Sequence, residues 1–286
     1  MSKAETVRRL LREQRPLVLG GVYDGLTARL ADRAGFEVLF MGGFSVAATL
    51  LGEPDFGLLT QTEMADAARR VCRLTERPIL VDADTGYGNA LNVIRTVELY
   101  QSAGAAGMFL EDQVWPKRCG HMKGKRVVER DDWLGKLRAV VATRGSGDLF
   151  LVARTDARAA ISLDEAIERG KAARDLGADA VFVEAPESVA ELERISREIE
   201  GPKVANMVEH GRTPLLSPAE LHDLGFDLIV TPVAALLASA RAIERTFSTL
   251  RSEGTMRGHL DELVPFDELN GLVGLEQQYE LERRFR

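Results

Sequence analysis

Eight short apolar runs, rich in β-branched residues, recur along the chain and are separated by longer stretches of helical character. Seven of the eight are almost continuously apolar, as is typical of strands that are covered on both faces. A parallel sheet with a helix after each strand has this order of elements. The runs are Leu17–Tyr23, Val38–Gly43, Pro78–Asp84, Gly107–Asp112, Leu149–Asp156, Ala180–Ala185, Lys203–Val208 and Leu228–Pro232.

Four of the intervening stretches end at a glycine, the residue that most readily adopts the left-handed conformation found at helix ends. They predict helices over Leu26–Ala34, Leu91–Ala103, Asp164–Leu176 and Pro218–Leu224. Eight βα units in one chain of 286 residues favour a closed (β/α)8 barrel of the TIM type. The alternative is a doubly wound open sheet, which usually has fewer strands.

The remainder of the chain, Ala234–Arg286, is long for a single closing helix. We interpret it as two or three helices with a break near Gly254–Gly258 and Pro265. We therefore predict one α/β-barrel domain over residues 1–286, with the barrel at about 16–250 and oligomerisation helices at about 251–286. Terminal helices that cannot bury themselves alone indicate an oligomer.

Composition narrows the classes of function. The net charge of −7 excludes the basic field expected of a protein that binds nucleic acid or an acidic membrane surface. No apolar run approaches the roughly 18–20 residues of a membrane helix. The first residues read as a short amphipathic helix before Pro16 rather than a secretory signal. Two cysteines give no disulfide framework, so we expect a cytoplasmic protein.

Acidic side chains stand at the carboxyl ends of five of the predicted strands, where the chemistry of such barrels is located. Carboxylates packed together repel one another unless a cation lies among them. Oxygen ligands in this number suit Mg²⁺, or alternatively Mn²⁺. In Asp82–Ala83–Asp84 the strand period of two points both carboxylates the same way. The polar residues at or after strand ends are Tyr23, Asp24, Asp82, Asp84, Glu111, Asp112, Arg154, Asp156, Glu184, Asn206 and Thr231.

The loop after the fourth strand combines cations, a thiol and an imidazole. It contains the run Lys117–Arg118–Cys119–Gly120–His121. Cations lower the pKa of a cysteine and bind anionic substrates, so Cys119 and Lys117 are candidates for chemistry and for substrate binding. The other cysteine, Cys72, lies within a predicted helix over Glu63–Leu74, and we interpret it as a small core residue.

These motifs together resemble the isocitrate lyase/phosphoenolpyruvate mutase superfamily. The resemblance runs over nearly the whole chain and includes the stretch Gly52–Gly57. Within the superfamily the chain is similar to the branch of methylisocitrate lyase, 2,3-dimethylmalate lyase and carboxyphosphonoenolpyruvate phosphonomutase. The motifs that carry it are Asp82–Ala83–Asp84, Glu111–Asp112–Gln113, Lys117–Arg118–Cys119–Gly120–His121 and Arg154–Thr155–Asp156.

The resemblance implies a role for each of these positions. It places a magnesium ion among Asp82, Asp84 and Glu111, partly through water, with Asp55 nearby. It makes Cys119 the catalytic acid/base on a gating loop, and Arg154 the ligand of a substrate carboxylate. Gly120 and His121 would assist Arg154, and Glu184 and Asn206 would line the pocket. It also implies a homotetramer whose C-terminal helices are swapped between subunits.

Two departures from the family pattern bear on the substrate. Many members place Ser or Thr with glycines after the second strand, where this chain has Gly42 and Gly43. Backbone N–H groups, rather than a hydroxyl, would then hold the 2-oxo acid carboxylate. Methylisocitrate lyases also carry an arginine just after the eighth strand, whereas Pro232–Leu237 offers none. This counts against a tricarboxylate and favours a smaller or more apolar substrate.

Three hypotheses for the function follow. The first is a lyase that cleaves C2–C3 of a 2-hydroxy-2-carboxy acid, such as a 2-alkylmalate, and releases pyruvate or a similar 2-oxo acid. Mg²⁺ would lower the pKa of the 2-hydroxyl, Cys119 would protonate the departing fragment, and Tyr23, Glu184 or metal-bound water would take the hydroxyl proton. The second is a carboxyphosphonoenolpyruvate phosphonomutase. The third is a noncatalytic small-acid binding protein, which the intact acids and Cys119 disfavour.

Overall fold

The computed structural model describes residues 1–120, 122, 124–145 and 149–286. These residues form two compact units, 1–234 and 235–286. The division falls near the start of a long helix, whereas the boundary predicted from the sequence, at about 250, lies near the end of that helix.

The first unit is built on a parallel sheet of eight strands in the described part of the chain. Seven neighbouring pairs form regular parallel ladders, and the barrel is closed between the sixth and seventh strands by a single bridge from Val181 to Lys203. The predicted (β/α)8 barrel is thereby confirmed. The strands are β1 (Leu17–Val22), β2 (Val38–Met41), β3 (Ile79–Asp82), β4 (Gly107–Glu111), β5 (Phe150–Thr155), β6 (Ala180–Val183), β7 (Val204–Asn206) and β8 (Leu228–Thr231).

Helices follow the strands and cover the outside of the sheet. The predicted helix ends are confirmed, because the glycines at these ends all have positive φ. They are Gly35, Gly104, Gly177 and Gly225. The helices of this unit are α1 (Lys3–Glu13), α2 (Gly25–Arg33), α3 (Gly43–Val46), α4 (Gln61–Cys72), α5 (Ala90–Ala103), α6 (Arg130–Thr143), α7 (Ala157–Ala160), α8 (Leu163–Asp175), α9 (Val189–Glu198) and α10 (Pro218–Asp223), and a π-helical turn spans Ala47–Leu51.

Helix α1 belongs to the barrel core. Its apolar face buries Val7, Leu10 and Leu11 in one cluster with strand residues such as Leu17 and Phe150. Arg8 donates from Nε to Asp179 Oδ1 at 2.7 Å and so ties the helix to the turn before β6. Because α1 occupies the end of the barrel where these strands begin, the opposite end, where the strands finish, is left for function.

The second unit consists of three helices and a short 3₁₀ turn at Leu260–Glu262. These are α11 (Ala234–Glu253), α12 (Phe266–Val273) and α13 (Leu275–Arg284). The predicted break is found where α11 ends before Gly254, and Pro265 precedes α12. None of the helix residues is buried, and large apolar side chains such as Phe247 and Phe266 are exposed. No helix in the described part of the chain is long and apolar enough to cross a membrane.

Candidate active site

The sheet register explains why the predicted polar residues meet at one end of the barrel. Glu111 at the end of β4 is the direct neighbour of Arg154 on β5, and Arg154 in turn lies beside Phe182 on β6. The backbone N–H of Glu111 donates to the carbonyl oxygen of Asp84 at 2.9 Å, which joins the turn after β3 to β4. Adjacent parallel strands therefore present their terminal charged side chains side by side.

The two aspartates after β3 are held by a tight turn. Asp84 has φ of 46°, a left-handed conformation that few residues other than glycine adopt. Its N–H donates to Asp82 Oδ1 at 3.2 Å, and Asp82 Oδ2 accepts from the N–H of Gly43 at 3.1 Å. The Gly43 N–H, which the sequence analysis assigns to a substrate carboxylate, is engaged by Asp82 here. Its neighbour Gly42 precedes α3, where a Cβ would come within 2.9 Å of the Phe40 ring.

Lys117 lies among the acids assigned to the metal. Its Nζ is 2.6 Å from Asp55 Oδ2 and 2.8 Å from Asp84 Oδ1, and its side chain is almost fully buried. Burial acts to lower the pKa of Lys117, but Asp84 and Asp55 raise it well above its usual value, so the ammonium stays charged. Lys117 is predicted from the sequence to bind the substrate, whereas in the structure it pairs with two acids of the cluster.

The acids nevertheless retain an excess of negative charge. Burial raises the pKa of Asp84 to about 7, with Lys117 opposing this and Asp82 and Asp55 adding to it. Burial likewise raises the pKa of Glu111 well above its ordinary value, against the effect of Arg154. Like charges in a dry site disfavour ionisation in this way unless further positive charge is present.

The donor set fits a divalent cation by its chemistry. All the acids offer oxygen, the ligand atom of Mg²⁺ and Mn²⁺. Neither carboxylate oxygen of Glu111 has a hydrogen-bond partner among the described residues, although Oε2 lies 3.2 Å from an Arg154 nitrogen. Within those residues, no group of three or more His, Cys, Asp and Glu side chains is already arranged around a single metal position. Lys117 accounts for this in part, because it draws Asp55 and Asp84 to itself.

Arg154 is held by three carboxylates. Its Nε lies 3.0 Å from Asp156 Oδ2, and its terminal nitrogens lie 3.2 Å from Glu111 and 3.6 Å from Glu184. The guanidinium also lies over the Phe182 ring, 5.4 Å from its centroid. Such a fixed, planar cation suits the binding of a carboxylate.

Glu184, which directly follows β6, lies beside Arg154, and Asn206 is the last residue of β7. Asn206 Nδ2 donates to Glu184 Oε2 at 3.4 Å. The Asn206 side-chain oxygen has no hydrogen-bond partner among the described residues and can accept from a ligand. Tyr23 directly follows β1 and is buried.

The cysteine loop folds over this end of the barrel. Its two arms pair near the base, where Val114 N–H donates to the Arg126 carbonyl at 2.8 Å. At the tip, Cys119 N–H donates to the Asp55 carbonyl at 3.2 Å. A Cβ at Gly120 would clash with the Glu184 side chain and with Arg154, so the glycine allows the backbone to approach both. His121, predicted to assist the substrate, lies outside the described residues.

A buried network lies behind Arg154, and the sequence predicted its acids Asp112 and Asp156 at strand ends but not how they pair. Asp156 pairs with Arg154 and with Lys125, whose Nζ lies 2.6 Å from Asp156 Oδ1. These two cations outweigh burial and hold the pKa of Asp156 at about 2. Asp112 accepts from the Asp156 N–H at 2.8 Å and pairs with Arg169 at 3.1 Å. One sequence signal for the pairing of Arg154 with Asp156 was the strand period of two, which would place both charged side chains on one side.

Comparisons with known proteins agree on one family. A family model described as phosphoenolpyruvate phosphomutase matches residues 7–251. The chain is 44% identical over 285 residues to 2,3-dimethylmalate lyase of Eubacterium barkeri, covering 100% of this chain and 99% of the relative. It is 48% identical over 281 residues to a chloroplastic carboxyvinyl-carboxyphosphonate phosphorylmutase of Arabidopsis thaliana, covering 97% of this chain and 83% of that protein. The solved structure of oxaloacetate acetylhydrolase with 3,3-difluorooxalacetate aligns over 99% of this chain and 96% of its own, at 38% identity and a TM-score of 0.94.

Proposed function

This chain belongs to the phosphoenolpyruvate phosphomutase family, in the isocitrate lyase/phosphoenolpyruvate mutase superfamily, and from that membership we propose that it is a carbon–carbon lyase. Its substrate is a 2-hydroxy-2-carboxy acid of the 2-alkylmalate or 2-methylisocitrate type. Its products are a 2-oxo acid such as pyruvate and a carboxylate.

One observation carries the proposal beyond family membership. The Cys119–Gly120 segment lies directly over Arg154 and Glu184, with Gly120 in close backbone approach to both. A thiol is thereby held on the same segment that covers a guanidinium suited to a substrate carboxylate. A lyase needs this combination, because its departing fragment is a carboxylate that must receive a proton at carbon.

The residues divide the reaction between them. Arg154 pairs with the carboxylate of the departing fragment, and Cys119 delivers a proton to the carbon released by C2–C3 cleavage. Tyr23 and Glu184 are the two side chains assigned to accept the 2-hydroxyl proton. Lys117 keeps Asp55 and Asp84 in place by its two ion pairs. The closed loop excludes water from the site.

Enzymes of this family depend on a metal ion, and we propose Mg²⁺ here, with Mn²⁺ as a substitute. Asp82, Asp84 and Glu111 would hold it, with Asp55 nearby. When bound, the ion would supply the positive charge that makes the substrate's 2-hydroxyl acidic.

The test is a screen of 2-hydroxy di- and tricarboxylates in which release of 2-oxo acid is coupled to lactate dehydrogenase. Because Pro232–Leu237 contains no cation, we expect a higher kcat/KM for a 2-alkylmalate than for 2-methylisocitrate. A tenfold preference for the tricarboxylate corresponds to about 1.4 kcal/mol of transition-state binding. It would refute the inference that the segment after β8 has no cation to bind a second distal carboxylate.

Phosphonomutase activity is the second candidate, because the Arabidopsis phosphorylmutase is as similar in sequence as the lyase relative. The lyase relative matches this chain end to end, whereas the chain covers 83% of the phosphorylmutase. Phosphorus NMR of reactions with carboxyphosphonoenolpyruvate tests this alternative directly. A new C–P resonance, together with no 2-oxo acid release from any hydroxy acid, would establish it instead of the lyase.

We further propose a cytoplasmic homotetramer with swapped C-terminal helices. The cellular location is supported by the two cysteines, neither of which forms a disulfide. The oligomer is supported by the second unit, whose helix residues are nowhere buried in the single chain.

A further inference from the structure

Lys125 connects the cysteine loop to the strand that carries Arg154. Its side chain is almost completely buried, which is rare for a lysine unless it is fully paired. Its Nζ donates to the Gly120 carbonyl at 2.5 Å and to Asp156 Oδ1 at 2.6 Å. One ammonium group thus bonds the loop tip, next to Cys119, and the residue that follows β5.

Asp156 is itself a fixed point. Its N–H donates to Asp112 Oδ1 at 2.8 Å. Its two carboxylate oxygens accept from Arg154, at 3.0 Å from Nε and 3.3 Å from a terminal nitrogen. The position of Lys125 is therefore set by the same carboxylate that orients the guanidinium of Arg154.

We infer that Lys125 is a positioning residue that holds the Cys119–Gly120 segment closed over Arg154. Lys125 also neutralises part of the negative charge of Asp156. Arg154 therefore retains positive charge and N–H donors with which to bind a substrate carboxylate. The inference deepens the proposed function and rests on it for the roles of Cys119 and Arg154. The lysine itself touches neither substrate nor reacting atoms.

Removing the ammonium has two physical consequences. The Gly120 carbonyl loses a charge-assisted hydrogen bond, and such bonds are stronger than neutral ones. Asp156 is then left with Arg154 as its cation, so it binds the guanidinium more strongly and competes with a substrate carboxylate. The loop tip should open more often, and substrate binding should weaken.

The chain contains its own control for loop opening. Iodoacetamide reacts with thiolate, so its rate reports both accessibility and ionisation. Cys72 is buried in α4, and burial raises its pKa to about 11, so it reacts only when the barrel unfolds. Local opening of the loop exposes Cys119 alone, whereas general destabilisation exposes both cysteines.

We propose to measure the alkylation rate of each cysteine by peptide mass spectrometry in the full chain and in Lys125→Met. We expect alkylation of Cys119 to rise roughly tenfold, as loss of a charge-assisted hydrogen bond predicts, with Cys72 unchanged. The matched control is Lys203→Met. Lys203 is also a buried lysine bonded to backbone carbonyls, at Ile199 and Gly201, but it directly precedes β7. This variant should leave Cys119 alkylation within about twofold of the unmodified chain.

Two outcomes would overturn the inference. One is an unchanged rate at Cys119 in Lys125→Met, and the other is a parallel rise at both cysteines, which indicates unfolding rather than loop opening. If Lys125→Met does not fold, Lys125→Gln is judged by the same two rates. With a substrate that is turned over, KM should also rise by roughly tenfold. Because alkylation needs no substrate, a selective rise at Cys119 in a protein without lyase activity would keep the positioning role and reject the function.

Discussion

The thiol of Cys119 is the single group on which the proposed chemistry most depends. Cys119→Ser keeps the size of the side chain but raises its pKa by several units, so serine is a poor acid near neutrality. General acid catalysis is worth about 10²–10⁴-fold, and we expect kcat to fall by that factor. KM should change little, because Arg154 still binds the carboxylate.

The control is Cys72→Ser, which should leave kcat within about twofold because Cys72 packs in α4 away from the site. Steady-state kinetics on the best hydroxy acid measures both variants. Near-normal turnover by Cys119→Ser would remove the cysteine from the proton transfer. The loop would then be a cover only, and His121 or Tyr23 would become the first candidates for the acid.

The carboxylates of Asp82, Asp84 and Glu111 lead to a second expectation. Burial raises the pKa of Asp84 and of Glu111, and a cation among the acids would favour the ionised form of both side chains. EDTA should abolish activity, and Mg²⁺ or Mn²⁺ should restore it. Full activity in a sample from which metal analysis shows that all divalent cations have been removed would contradict a metal role for these acids.

Residue types at strand ends were predictable from the sequence, but their partners were not. The alternation predicted for Asp82–Ala83–Asp84 does not extend to Asp84, because β3 ends at Asp82 and Asp84 lies in the turn that follows, with a φ of 46°. Sequence spacing does not reveal which acid a loop cation will reach, because that depends on how the loop folds back. Lys117 accordingly pairs with Asp55, 62 residues away along the chain, and Lys125 reaches Asp156.

Among the elements, β1 approaches its neighbour β8 closely. Gly21 lies so close to the backbone of Thr231 and Pro232 that a Cβ would overlap their carbonyl oxygens. Gly21→Ala must therefore push the two strands apart, and overpacking of this kind costs about 1–3 kcal/mol. We expect a loss of that size in the free energy of unfolding, measured by urea denaturation.

The matched substitution is Gly135→Ala within helix α6. A Cβ there meets nothing within 4 Å, and alanine is favoured over glycine in helices by about 0.5–1 kcal/mol. This variant should be more stable than the parent chain. If Gly135→Ala were destabilised as much as Gly21→Ala, any added methyl group would be harmful. The loss in Gly21→Ala could then not be attributed to the closeness of β1 and β8.

All eight predicted strands are present, but their ends were placed too far along the chain. The apolar run Val38–Gly43 continues past β2, which ends at Met41, because Gly42 caps helix α3 and Gly43 begins it. Likewise β7 spans only Val204–Asn206 of the run Lys203–Val208. Apolar character reports burial, and a residue can stay buried after the hydrogen-bonded ladder has ended, so hydrophobicity alone overestimates strand length.

For the whole molecule, the C-terminal unit predicts association. Along α11, Ile243, Phe247 and Leu250 are exposed at helical spacing and form an apolar stripe, which marks an interaction surface. Sedimentation should give about four times the chain mass of 31.4 kDa. Phe247→Glu should shift the protein to smaller species.

Ser248→Glu is the control, since Ser248 is exposed next to Phe247 but outside the stripe. It should leave the sedimentation coefficient unchanged. A parent chain that sediments as a monomer at micromolar concentration would contradict the proposed tetramer.

The single bridge that closes the barrel between β6 and β7 has an evolutionary consequence. Along this seam the two strands share one bridge, from Val181 to Lys203, rather than a regular ladder. At the carboxyl end of the same seam, Glu184 and Asn206 meet through side chains. Substitutions there can change the width and polarity of the pocket without breaking a ladder elsewhere in the sheet. The seam is therefore a place in this scaffold where substrate preference can change while the regular ladders of the sheet are kept.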